Sequence, residues 1–140
     1  TGKMGKSEGE GNAIYLIDTP EEIRKKVMKA KTDAGPIEMS QTKPIEIENL
    51  FTLMNIVSTK DTVAYFDEKY NTCQIRYGDL KKQLAEDMIS FVAPFSEKIK
   101  EIAADEEYLK KVVRMGAEKA RESAVKTMKE VREIIGFKSF

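Results

Sequence analysis

Leu80, Leu84, Met88, Phe91, Phe95, Ile99 and Ile102 constrain this chain more than any other feature of it. They recur at steps of three and four, which places them on one side of an α-helix. A half-buried strand would need a step of two. Pro94 sits inside the pattern. It has no N–H to donate, and its ring crowds the preceding turn, so a kink or break is expected there.

The remaining patterns are helical too. In Thr19-Pro20-Glu21-Glu22, Thr19 can cap, Pro20 suits the first helical position, and Glu22 completes a capping box. Ile23, Val27 and Ala30 then share a face, opposite Arg24, Lys25, Lys26 and Lys29, and Gly35-Pro36 closes the unit. Residues 37–45 show no period and read as a loop. From Glu46 to Val57 the chain is apolar almost all round, so a helix enclosed by protein is expected. Ser58 and Asp61 suggest a new start before Val63, Phe66 and Tyr70. The stretch NTCQIRYGD interrupts ahead of the long pattern. A last helix is expected from Asp105 to about Ile135, with Leu109, Val113, Ala120, Ala124, Val131 and Ile135 as a buried stripe. Small residues around Gly116 would let a neighbouring helix approach closely. Asn12 to Ile17 reads as a short extended segment. The fold class is therefore all-α, about five helices in an antiparallel bundle behind an N-terminal loop. The domain division is 1–17 for loop and connector and 18–140 for the helical domain.

Composition excludes several chemistries. Apolar residues make up 41% of the chain, so it can fold around a core. There are 24 basic and 24 acidic residues, so net charge names no partner. No apolar run is long enough for a transmembrane helix, so no membrane partner is expected. One cysteine and no histidine exclude a Ser-His-Asp triad and make a structural zinc site improbable. Cys73 cannot pair within the chain, which fits a cytoplasmic protein.

The chain opens TGKMGKSEGEGNAIYL. Gly5-Lys6-Ser7 matches the tail of a phosphate-binding P-loop, but the glycines after Ser7 do not continue as the helix that a P-loop requires. Lys3-Met4-Gly5-Lys6-Ser7 instead resembles the KMSKS signature of class I aminoacyl-tRNA synthetases, with Gly5 in place of the usual Ser. Lysines on such a loop can meet the negative charge that develops on a pyrophosphate leaving group.

Further stretches extend the likeness. TPEEIRKKVMKAKTDAGP, then Tyr77-Gly78-Asp79-Leu80-Lys81 with Leu84-Ala85-Glu86, then GAEKARESAVKTMKEVREIIGF are similar to bacterial tryptophanyl-tRNA synthetases. The resemblance implies a C-terminal fragment of such a ligase, starting at the catalytic loop. The nucleotide-binding domain, with its HIGH signature, would lie upstream. It implies ATP with Mg²⁺, tryptophan and the tRNA for tryptophan as substrates, a homodimeric parent, and no metal held by this chain. By the same resemblance Lys6 and Lys3 are catalytic, and Lys3, Met4, Gly5, Lys6 and Ser7 contact ATP. The fragment alone is expected to be inactive.

Arg24, Lys25 and Lys29, with Arg114, Lys119 and Arg121 on the last helix, are candidates for tRNA phosphates. Solvated helix faces are the plain alternative for all six. Tyr65, Tyr70, Tyr77 and Tyr108 could stack on bases, though a packed ring with its hydroxyl at the surface accounts for each. Two other identities remain open: a stand-alone helical module that binds RNA or protein, and the same region of a tyrosyl-tRNA synthetase.

Overall fold

The computed structural model describes residues 13–136. Five helices follow in order: α1 (Pro20–Met28), α2 (Ile45–Val57), α3 (Lys60–Asn71), α4 (Tyr77–Ala104) and α5 (Glu106–Ile134). No strand occurs among the described residues. The all-α expectation and the number of helices are both met. The chain divides into two compact units between Glu97 and Lys98, within α4.

Local chemistry sets the helix ends. Thr19 accepts from the Glu22 N–H, and Glu22 accepts in return from the Thr19 N–H at 2.8 Å, behind Pro20. This is the expected capping box, and the hydrogen bonds from Thr19 hold the Glu22 carboxyl below its usual range. Thr59, and not Ser58, caps α3 by accepting from the Thr62 N–H. Asp105 caps α5 through the Tyr108 N–H at 2.9 Å.

The first unit holds the core. Ile23 and Val27 of α1 meet Ile47, Leu50, Phe51 and Met54 of α2, Phe66 and Tyr70 of α3, and the Leu80–Val92 face of α4. The Phe51 and Tyr70 rings stand edge to face, 6.4 Å between centroids. Lys43 Nζ lies 4.8 Å from each ring and pairs with Asp67 at 2.6 Å.

Several expectations need correction. Leu16 and Ile17 form a turn closed by the Asp18 N–H on the Tyr15 carbonyl, not an extended segment. The helix after Thr19 ends at Met28, well before Gly35-Pro36; Gly35 serves a later bend at φ 106°, where its N–H donates to Asp33. α2 is not enclosed, because Ile56 and Leu53 point away from the face carrying its four buried residues and stay exposed. α4 runs through Pro94 without a break.

The largest correction concerns α5, which has no buried residue; Val113 is 70% exposed. Among the described residues, a Cβ added at Gly116 would meet nothing within 4 Å. The described part of the second unit is the end of α4 and α5, and within it no further layer covers the stripe. The periodicity specifies an amphipathic helix, but amphipathicity alone does not provide a partner.

Candidate RNA and catalytic-loop region

Lys3, Met4, Gly5, Lys6 and Ser7 lie outside the described residues. The structure does describe the connector that follows them. Asp18 receives Lys26 Nζ at 2.5 Å and the Tyr15 N–H at 2.8 Å, and its side chain is 8% exposed. Lys26 also lies 4.7 Å from the Tyr15 ring centroid. One cation thus fastens the turn at 15–18 to α1. A charge pair with both side chains mostly covered and further hydrogen-bonded is costly to break by removing one partner.

A second fastening joins the other end of α1 to α4. Lys81 is buried, and its Nζ donates to the Ala30 carbonyl at 2.6 Å and to Thr32 Oγ1 at 3.4 Å. Tyr77 and Tyr70 lie in the same region. The Tyr70 hydroxyl has no hydrogen-bond partner among the described residues, and the Tyr77 hydroxyl lies beside the Asp33 carboxylate; burial is the main cause that raises both above the usual phenol range, with Asp33 acting the same way. Sequence reading missed Lys81. The signal was its place between Leu80 and Leu84, inside the arc that also holds Ala85, Met88 and Val92.

The six proposed phosphate contacts divide between the two units, three at α1 and three on α5. Arg24 is engaged by Glu86, with Nε at 2.7 Å and a second nitrogen at 3.0 Å. That pairing raises the guanidinium and lowers the Glu86 carboxyl, while both remain exposed. Lys25 and Lys29 are exposed one turn apart, without an ion pair among the described residues. On α5, Arg114 and Arg121 are seven positions apart and share a face. Lys119 falls on another side at 100° per residue. No three His, Cys, Asp or Glu side chains come together as metal ligands among the described residues. No helix there is long and apolar enough to cross a membrane.

Comparison with known proteins gives these elements a family. The model for class I tRNA synthetases (W and Y) matches residues 1–93, and the chain belongs to that family. Among its relatives, the tryptophan–tRNA ligase of Porphyromonas gingivalis is 59% identical over 99% of this chain and 42% of its own length. The tryptophan–tRNA ligase of Helicobacter pylori is 38% identical over 96% of this chain and 40% of its own. A crystal structure of Campylobacter jejuni tryptophanyl-tRNA synthetase, complexed with ADP and tryptophan, superposes with a TM-score of 0.74 at 26% identity, over 96% of this chain and 41% of that one. The chain thus spans about two fifths of the length of the relatives it matches. Membership of a synthetase family removes the reading as a helical module unrelated to an enzyme. The tryptophanyl relatives do not favour the tyrosyl alternative.

Proposed function

We propose that the chain works as part of a tryptophan–tRNA ligase, which activates tryptophan with Mg²⁺-bound ATP and transfers it to the tRNA for tryptophan. The 59% identity to the Porphyromonas gingivalis ligase, over nearly the whole chain, carries this reading. Lys6 and Lys3 would stabilise the pyrophosphate leaving group, and Met4, Gly5 and Ser7 would help shape the loop around ATP. Gly5 has no hydroxyl to offer phosphate but gives the loop wider backbone freedom. Residues 18–140 would form the helical domain that meets the anticodon arm. Arg24, Lys25, Lys29, Arg114, Lys119 and Arg121 are its candidate phosphate contacts. The enzyme is proposed to be a cytoplasmic homodimer.

Tryptophan-dependent pyrophosphate exchange tests the proposal in the full-length protein that contains this chain. Lys6→Ala should lower kcat by about 10²–10³, the effect of losing roughly 3–4 kcal/mol of transition-state stabilisation, while ATP affinity changes little. An equal loss of ATP affinity at constant kcat would make Lys6 a uniform binding residue. The 140-residue chain alone should support neither exchange nor charging. Exchange driven by any other amino acid would refute the assignment to tryptophan.

A further inference from the structure

The chain reaches α1 from the proposed catalytic loop through one turn, Tyr15 to Asp18, which begins eight positions after Ser7. We propose that Asp18, tied down by Lys26, is a positioning residue for the activation step: it fixes the direction in which the chain that carries Lys6 joins the helical domain. The proposal rests on the ligase reading and on the assignment of Lys6 to the leaving group.

The usual order of burial is reversed at this turn. Leu16 and Ile17 are 47% and 65% exposed, whereas the side chains of Asp18 and Lys26 are 8% and 15% exposed. Charges, not the apolar side chains, hold the segment down. Covering an ion pair costs desolvation, and apolar residues of similar volume are often as stabilising. What the charged groups add is direction, because their hydrogen bonds require a particular geometry.

Asp18 holds both backbone groups of Tyr15. Its Oδ2 accepts from the Tyr15 N–H at 2.8 Å, and its own N–H donates to the Tyr15 carbonyl at 3.0 Å. The peptide planes on either side of Tyr15 are therefore set by one residue. Lys26 Nζ donates to the same Oδ2 and lies over the Tyr15 ring. Lys26 is itself fixed in place. Ile23 and Val27 bury α1 in the core, and Arg24 pairs with Glu86 of α4. Ile14, half-buried against the same core, extends the anchorage one residue further toward the loop.

Lys6 stands nine positions before Tyr15, a length of chain that spans up to about 30 Å. A change of direction at Tyr15 is magnified over that length, and a misplacement of about 1 Å at a reacting centre can cost about 10²-fold in rate. Lys6 is assigned to charge that develops in the transition state. Loss of the anchor should therefore appear in kcat and not in the KM of either substrate.

Tryptophan-dependent pyrophosphate exchange in the full-length protein tests this by a double-mutant cycle. Asp18→Ala should lower kcat about tenfold and leave KM for ATP and for tryptophan within about twofold. Asp18→Asn keeps an acceptor for the Tyr15 N–H and should recover part of the loss. In a Lys6→Ala background Asp18→Ala should cost less than about twofold, because a residue that acts through Lys6 then has nothing to position. Circular dichroism sets a temperature at which each variant is folded, and Asp18→Asn carries the cycle if Asp18→Ala does not fold. A loss of kcat repeated in full in the Lys6→Ala background overturns the positioning role and leaves the ligase reading standing. So does full kcat in the folded Asp18 variants. Exchange driven only by another amino acid overturns the tryptophan reading, and the same cycle with that amino acid decides the positioning role. Lys6→Ala without effect on kcat overturns both the role of Lys6 and that of Asp18.

Discussion

Lys81 shows how a residue can be misread from its type. The period of α4 places it on the packed face, yet its charge argues for solvent. The fold meets both demands: the side chain is covered, at 8% exposure, and Nζ reaches the Ala30 carbonyl. Lys81→Ala should cost about 1–3 kcal/mol, because it empties that space and leaves the carbonyl without its donor. Lys81→Met keeps most of the stem and should cost less. Urea denaturation separates the two, and a Met variant as stable as the parent would mean that the hydrogen bond contributes nothing net. Tyr70 and Tyr77 give a pH prediction. Both phenols titrate higher in the folded chain than in the unfolded one. A raised folded value means stability that is complete below the unfolded pKa of about 10 and is lost as pH climbs above it. Tyrosinate absorbance should therefore include two late-ionising residues, absent from the Tyr70→Phe, Tyr77→Phe double variant. Stability that does not fall above pH 10 would contradict the burial of these hydroxyls.

At the scale of elements, the sequence was most legible where a short chemical motif decides the outcome. Thr19, Pro20 and Glu22 define the start of α1 by themselves, and Asp105 does so for α5. It was least legible where distant chain decides. Nothing near Arg24 announces Glu86, sixty-two positions away, and nothing near Leu53 says which side of α2 lacks a neighbour. The same limit applies to the candidate RNA contacts, since residue type alone cannot distinguish a paired cation from an unpaired one. The structure separates them. If α1 meets RNA, Lys25→Gln and Lys29→Gln should each reduce the salt slope of tRNA binding by about 0.7–0.9. Arg24→Gln should reduce it less, because Glu86 already neutralises that guanidinium and would be left as an unpaired acid. Equal slopes for all three variants would show that the Arg24–Glu86 pair opens on binding.

Across the whole molecule, stability should be unevenly distributed. Among the described residues, the unit ending at Glu97 contains every buried apolar side chain, from Ile23 on α1 to Val92 on α4. Opening it exposes that core, so its central amides should exchange only near the free energy of global unfolding. The unit from Lys98 onward has no comparable term. All of α5 is exposed, and its ion pairs, such as Lys110 with Glu106 at 3.6 Å, join side chains already in water. Exposed pairs of this kind add little. An amphipathic helix without a packed face relies on propensity, whereas most helical stability in proteins comes from the packing of that face. Amides of α5 should therefore exchange close to the rate of fraying helices, orders of magnitude faster than those around Leu50, Tyr70 and Leu84. Addition of tRNA offers a second reading of the same experiment. If Arg114 and Arg121 engage phosphates along their shared face, exchange in α5 should slow on binding while the core stays as it was. Amide exchange followed by mass spectrometry on the dilute chain resolves the two units directly. Protection in 106–134 equal to that in 45–92, before any RNA is added, would mean that the stripe from Leu109 to Ile135 is already buried against a partner.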